Sequence, residues 1–501
     1  MQNETLRKYP LAPTVRREFL KKASMTALLL GYRPQSILAQ AESTSLLVRG
    51  GLIVTAERQF PADIRARGGK IEQIGVNLPP LSSGRERVVE AGGLLVLPGG
   101  IDPHTHLPGG ADDFTSGSAT ALAGGITTIG NMTFPRTGED VVAAVNRVSS
   151  LVEEQAMFDV MLHPGLRAFA DYAPRQLADQ FAAGHTSMKV QTHRPSFDQQ
   201  ALDFLNLIRS AGEAGALTMI HCEDYAIINE ATDALMAAGR TSARYWGQSR
   251  PVLAEVVSVQ RAVAISEHTG SPIYVVHLSS GRALAVCQEA RARGLPIYVE
   301  TRPTYLHLTE DLYAEPDPGL YIASPPLRSA QDVEAMWRGL TDGHVDTVGS
   351  DHSALMRAQK ADPDLTLKTL RPGFSNMEVM HPMLHSDGVL TGRISLERFV
   401  AITSEQPARL FGLFPTKGAI AEGSDADLVL WDPAETRTIR AADLKSRCDF
   451  SPYEGRQITG WPQMTIRRGE VVYERGQVTA QPGSGRILRR GPTQPLAGIS
   501  G

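Results

Sequence analysis

Residues 98–107 read PGGIDPHTHL, and the character of the chain changes there. Upstream, from Ser45, short apolar stretches alternate with glycine turns in SLLVRGGLIVT, ADIRARGGKIEQIG and RVVEAGGLLVLPG, a pattern of short β-strands. Downstream, to about residue 412, β-branched runs alternate with longer amphipathic segments. The runs are GIDPHTH (100–106), ITTIGNM (126–132), FDVMLHP (158–164), SMKVQ (187–191), LTMIHC (217–222), IYVVHLS (273–279), IYVET (297–301) and VDTVGSD (345–351). Eight strands joined by helical segments predict an α/β fold, a TIM (β/α)8 barrel over 98–412. The short-strand style returns after Gly412 in KGAIAEGSDADLVLWDP and WPQMTIRRGEVVYERG. Two β-rich flanks, 45–97 and 413–480, are expected to form one discontinuous β-sandwich. Residues 481–501, rich in Gly, Pro and Arg, read as a mobile or oligomer-wrapping tail.

Overall composition is that of a globular protein, with 42% hydrophobic and 21% charged residues. A net charge of −4 leaves no basic footprint for nucleic acid. No apolar run reaches the roughly 18–20 residues of a membrane span, and three cysteines exclude a disulfide scaffold. The first 41 residues contain Arg16-Arg17-Glu18-Phe19-Leu20-Lys21, a modest apolar stretch and Ala39-Gln40-Ala41. That order resembles a twin-arginine signal peptide. It implies passage through the twin-arginine translocase and a periplasmic location. This segment holds seven Lys and Arg against two Asp and Glu, so the remaining chain is distinctly acidic.

His104 and His106 lie two apart on the first predicted barrel strand. Strand side chains alternate faces, so both imidazoles share one face. In a barrel that face points inward, at the mouth where such folds keep their chemistry. Lys189 lies on the fourth predicted strand, His221 and His277 near the ends of the fifth and sixth, and Asp351 closes the eighth. Each alone would read as a packed or solvated residue. Together they are a set of imidazole and carboxylate ligands suited to zinc and its neighbours, with a lysine among them.

These residues, with MIHCED (219–224), VVHLSS (275–280), SPPLR (324–328), VGSDHSA (348–354), the run 393–433 and SPYEGRQITGWP (451–462), carry a resemblance. The sequence resembles the cyclic amidohydrolases of the amidohydrolase superfamily, most closely the dihydropyrimidinase/hydantoinase branch. The resemblance implies two divalent metals, usually zinc, held by His104, His106, Lys189, His221, His277 and Asp351. It implies that Lys189 carries a carbamate from CO2 and that a hydroxide shared by the metals opens a cyclic amide or ureide. Asp351 would accept the hydroxide's proton and pass it to the leaving nitrogen. Ser324 matches a residue that holds the ring amide. The hydantoinase oxyanion tyrosine would fall at Arg194, so His193 or Arg194 is expected to take its place. An asparagine contact of that branch falls at Pro372. A carboxylate-gripping arginine of dihydroorotases falls at Pro108, which disfavours that activity. An allantoinase-like activity remains an alternative, as does a non-catalytic assembly role of the kind some family members adopt. The family also implies a homotetramer or homodimer.

Other residues read as structural. His163 is expected to pack or line the rim, and His352 to face away from Asp351. His381 and His385 share a helix spacing but lack the glutamate of a zinc motif. Cys222 reads as a packed thiol, and Asp112 and Asp113 as a turn or helix cap.

Overall fold

The computed structural model describes residues 45–81, 86–170 and 172–496. The signal-like segment 1–41 lies outside them. Five strands come first: β1 (Ser45–Val54), β2 (Gln59–Arg67), β3 (Lys70–Gly75), β4 (Glu86–Glu90) and β5 (Leu95–Pro98). Eight follow with at least one helix between each successive pair: β6 (Gly100–Thr105), β7 (Ile126–Thr133), β8 (Asp159–Pro164), β9 (Ser187–Gln191), β10 (Leu217–His221), β11 (Ile273–Val275), β12 (Ile297–Thr301) and β13 (Thr347–Val348). Four close the series: β14 (Leu428–Thr438), β15 (Gln457–Arg467), β16 (Glu470–Glu474) and β17 (Gln477–Val478).

The flanks join in one nine-stranded, mostly antiparallel sheet, where β5 from the first flank pairs with β14 from the second. The intervening strands form two all-parallel sheets, β6-β7-β8 and β9 to β13, in sequence order. Single parallel bridges link them, Gly165 to Lys189 at one seam and Thr105 to His352 at the other. Strand alternation sorts the side chains. On β10, Leu217 and Met219 join an apolar cluster with Met161, Tyr274 and Tyr298, whereas Ile220 packs into the helix-facing core with Val190 and Val275. His221 continues the Leu217–Met219 face and ends the strand, so an apolar layer lies beneath a polar one.

Two expectations need correction. Strands β11 and β13 stop at Val275 and Val348, short of the predicted 279 and 351. His277 and Asp351 take left-handed backbone, φ 39° and 49°, which a strand cannot continue through. The described part of the tail, 481–496, is not a loose end. Ile487 bridges to Val160 on the free edge of β8, and Arg490, buried, donates to the Leu162 carbonyl and Ser187 Oγ, both at 2.9 Å. The tail therefore covers a strand edge that would otherwise offer unpaired backbone groups. Among the described residues, no helix is long and apolar enough to cross a membrane.

Candidate active site

A cavity of about 600 Å³ opens at the far ends of the parallel strands, and all nine residues singled out from the sequence line it: His104, His106, Lys189, His193, Arg194, His221, His277, Ser324 and Asp351. Ligand atoms of His104, His106 and Asp351 lie within 4.8 Å of one another, close enough to share a cation. The His106 Nε2–Asp351 Oδ1 distance is 3.0 Å and the His104 Nε2–Asp351 Oδ1 distance 3.5 Å. The rings of His104 and His277 stack at 5.3 Å, and those of His221 and His277 meet edge-on at 4.6 Å.

The local backbone explains this convergence. Asp102 accepts from the backbone N–H of His104 at 3.1 Å and of Ser350 at 2.9 Å, locking β6 to the turn that carries Asp351. A Cβ on Gly349 would meet Glu300 Oε2 at 2.7 Å, so glycine is what lets that turn pass. The positive φ angles of His277 and Asp351 are strained, by about 1–3 kcal/mol each, and aim both side chains into the cavity mouth.

Electrostatically the floor holds neutral imidazoles. Burial drives His104, His221 and His277 below histidine's usual value, leaving lone pairs free for a metal. Burial also brings the Lys189 ammonium down to about 8. Asp351 goes the other way: burial would raise it, but the Arg302 cation and the hydrogen bond from His106 outweigh that and hold it well below the carboxylate range. Among the six candidate ligands, three buried side-chain atoms have no hydrogen-bond partner: His104 Nε2, His277 Nδ1 and Lys189 Nζ.

Several contributors escaped the sequence reading. Glu300 accepts from His104 Nδ1 at 2.8 Å, the His277 backbone N–H at 2.9 Å and Tyr274 Oη at 2.8 Å, so one carboxylate orients two imidazole-bearing residues. Glu223 is engaged by His221 Nε2 at 2.7 Å, Ser324 Oγ at 2.9 Å and Arg250 at 3.0 Å. Arg302, 1% exposed, bonds Asp351 Oδ2. The signal available was register: Glu300 shares the face of Tyr298 on β12, and Glu223 stands two residues past His221.

The substrate-facing candidates separate. His193 is packed against His221 with ring centroids 4.2 Å apart, and its Nδ1 is buried and unpartnered. Arg194 is exposed at the mouth, where its Nε donates to Gln191 at 3.4 Å. Pro108 and Pro372 both line the cavity. The residues read as structural lie elsewhere. His163 Nδ1 is bonded to Ser187 at 2.6 Å, His352 Nε2 to Asp112 at 3.0 Å and His385 Nδ1 to the Thr459 carbonyl at 3.0 Å. His381 is buried against Phe399, and Cys222 is a buried free thiol within the core.

Comparison with known proteins agrees with this geometry. Residues 95–472 match the amidohydrolase family. A D-phenylhydantoinase of Escherichia coli O1:K1 is 35% identical over 464 residues, 90% of this chain and 99% of that protein. The crystal structure of dihydropyrimidinase from Brevibacillus agri superposes with a TM-score of 0.87 at 34% identity, covering 90% of this chain and 100% of that one. An L-hydantoinase (dihydropyrimidinase) from Arthrobacter aurescens gives 0.81 at 28% identity, covering 89% and 99%.

Proposed function

The chain belongs to the amidohydrolase family, and from that premise we propose a metal-dependent hydrolase that opens the ring amide of a dihydropyrimidine, hydantoin or related cyclic ureide. The observation that carries this reading is the meeting of six candidate ligands in one cavity, with His104 Nε2, His277 Nδ1 and Lys189 Nζ buried and unpartnered. Unsatisfied buried polar atoms are costly, and a cation bound among them would take up the free imidazole lone pairs. The donor set fits two divalent ions such as zinc, held by His104, His106, His221, His277, Asp351 and Lys189. Lys189 joins only as a carbamate formed with CO2, because an ammonium has no lone pair to give. When bound, such ions supply Lewis acidity and lower the pKa of water toward neutrality.

The chain's own groups do the rest. Asp351, held ionised by Arg302, accepts the proton of the attacking water and returns it to the leaving ring nitrogen. His193, neutral and unpartnered at Nδ1, donates to the carbonyl oxygen as negative charge develops there. Ser324, tethered to Glu223, positions the ring amide. We read the two parallel sheets, bridged at both seams, as one closed (β/α)8 barrel. Residues 1–41 are read as an export signal delivering a periplasmic homotetramer or homodimer, which cell fractionation of an Arg16→Lys/Arg17→Lys variant would check.

Metal analysis combined with assays on hydantoin, dihydrouracil and allantoin tests the central reading. About two metals per chain and ring opening of at least one compound are expected. Less than one metal per chain, and no turnover after zinc and bicarbonate are added, would overturn it.

A further inference from the structure

The floor and rim of the cavity differ in charge. Five guanidiniums line it: Arg136, Arg147, Arg167, Arg194 and Arg371. Among the described residues its only lining carboxylate is Asp351, already engaged by His106 and Arg302. Arg147 is neutralised by Glu139 through bonds of 2.8 and 3.0 Å. Among the described residues the other four form no ion pair. Arg167 lies 5.0 Å above the Phe134 ring, and Arg194 has only the neutral Gln191 amide. Burial, then the neighbouring charges of Arg167 and Arg250, hold Arg194 below arginine's usual value, so the Arg167 and Arg194 cations feel one another. Like charges gathered without counter-ions at the entrance of a substrate cavity draw in anions, and a guanidinium pairs with a carboxylate through parallel hydrogen bonds.

Resting on the hydrolase reading above, the geometry points to a substrate whose ring bears an acid-terminated arm: the ring amide sits on the His/Asp floor and the carboxylate is received by Arg167 and Arg194 at the rim. A carboxylate attached directly to the ring fits less well. The candidate ligands on the floor are mostly buried, whereas these arginines are exposed, so an arm must span the difference. The cavity has room for one, since about 600 Å³ is the scale of a site for a substituted ligand.

The test compares hydantoin-5-propionic acid with its primary amide on the zinc-loaded protein, by steady-state hydrolysis and by protection against thermal unfolding. The acid is expected to have the higher kcat/KM by about tenfold or more, carried in KM, as befits hydrogen bonds between charged groups. Added salt should shrink the preference. The double variant Arg167→Gln/Arg194→Gln should bring the ratio near one, while Arg194→Lys retains part of it. Hydrolysis of both compounds with no preference, or a preference untouched by the double variant, overturns the inference and leaves the hydrolase reading standing. If neither compound is hydrolysed but only the acid protects, and the double variant abolishes that protection, the anion site stands and the hydrolase reading falls. If neither compound is preferred in either measurement, the inference fails.

Discussion

Lys189 and Lys417 are each 2% exposed, yet their surroundings push them in opposite directions. Lys417 sits where the parallel strands meet the antiparallel sheet. Its ammonium bonds Asp159 and Asp427 at 2.7 Å and pairs with Asp425 at 3.0 Å, while Arg468 bonds Asp159 from the other side. Burial works to lower Lys417, but the three carboxylates outweigh it and hold the ammonium above lysine's usual value. Lys189 has no hydrogen-bond partner, and burial brings it down to about 8. A buried charge that is fully partnered is part of the architecture. A buried amine left unpartnered among imidazoles is unexplained by architecture, and chemistry is the reading that accounts for it.

The contrast can be broken at either lysine. Lys189→Ala should lower kcat about a thousandfold or more, the upper range for losing one charge-stabilising group, with bound metal falling alongside. The stability of the metal-free protein should hold, since no hydrogen bond is lost. Lys417→Met should do the reverse. It leaves three buried carboxylates facing only Arg468, on Asp159, and the half-exposed Lys70, on Asp425, and should cost about 3–5 kcal/mol in urea unfolding, with activity per folded molecule retained. The Lys417 pKa is raised on folding, so its contribution is complete below pH 10.5, the unfolded value, and disappears as pH rises past it. Equal destabilisation by the two substitutions in metal-free protein would erase the distinction.

Glu300 sharpens the comparison because it belongs to both classes. It is as well bonded as Lys417, but two of its three partners belong to candidate ligand residues. Glu300→Gln keeps the volume and removes the charge that orients His104. Metal affinity, read by competition with a chromophoric chelator, should fall about 10–100-fold. A loss of folding stability with unchanged metal affinity would move Glu300 to the structural side.

Much of this was legible in one dimension. Strands announced themselves through β-branched runs, and the ligand set through its recurrence at strand ends, because both signals are local. Partners distant in sequence were not legible. Nothing around Glu300 announces His104, 196 residues away, and nothing in IYVETRP marks Arg302 as the partner of Asp351. The tail misled because its composition suits a mobile segment, yet Arg490 is buried against Leu162 and Ser187. The early ends of β11 and β13 were equally hidden, since VHL and SDH do not reveal which residue turns left-handed.

Asp112 and Asp113 carry the contrast down to neighbouring residues of one type. Asp113 caps the helix Phe114–Ala123, accepting from the Ser116 N–H at 2.8 Å, and its salt bridge to Arg447 is largely exposed. Asp113→Ala should cost about 1 kcal/mol, nearly all of it from the cap, because exposed pairs contribute little. Asp112 is buried and accepts from His352 Nε2 at 3.0 Å, Ser446 Oγ at 2.6 Å and the Arg447 N–H at 2.9 Å. Its removal strands three donors behind the cavity wall and should cost about 2 kcal/mol. For both carboxyls burial acts upward, but hydrogen bonds and neighbouring charge win and lower the folded pKa. Their stabilisation is therefore present above the unfolded value of 3.8 and is lost as pH falls below it. Acid unfolding of the two alanine variants should show the larger loss of pH sensitivity at Asp112. The opposite order would mean that the helix cap, and not the buried cluster, anchors this wall of the cavity.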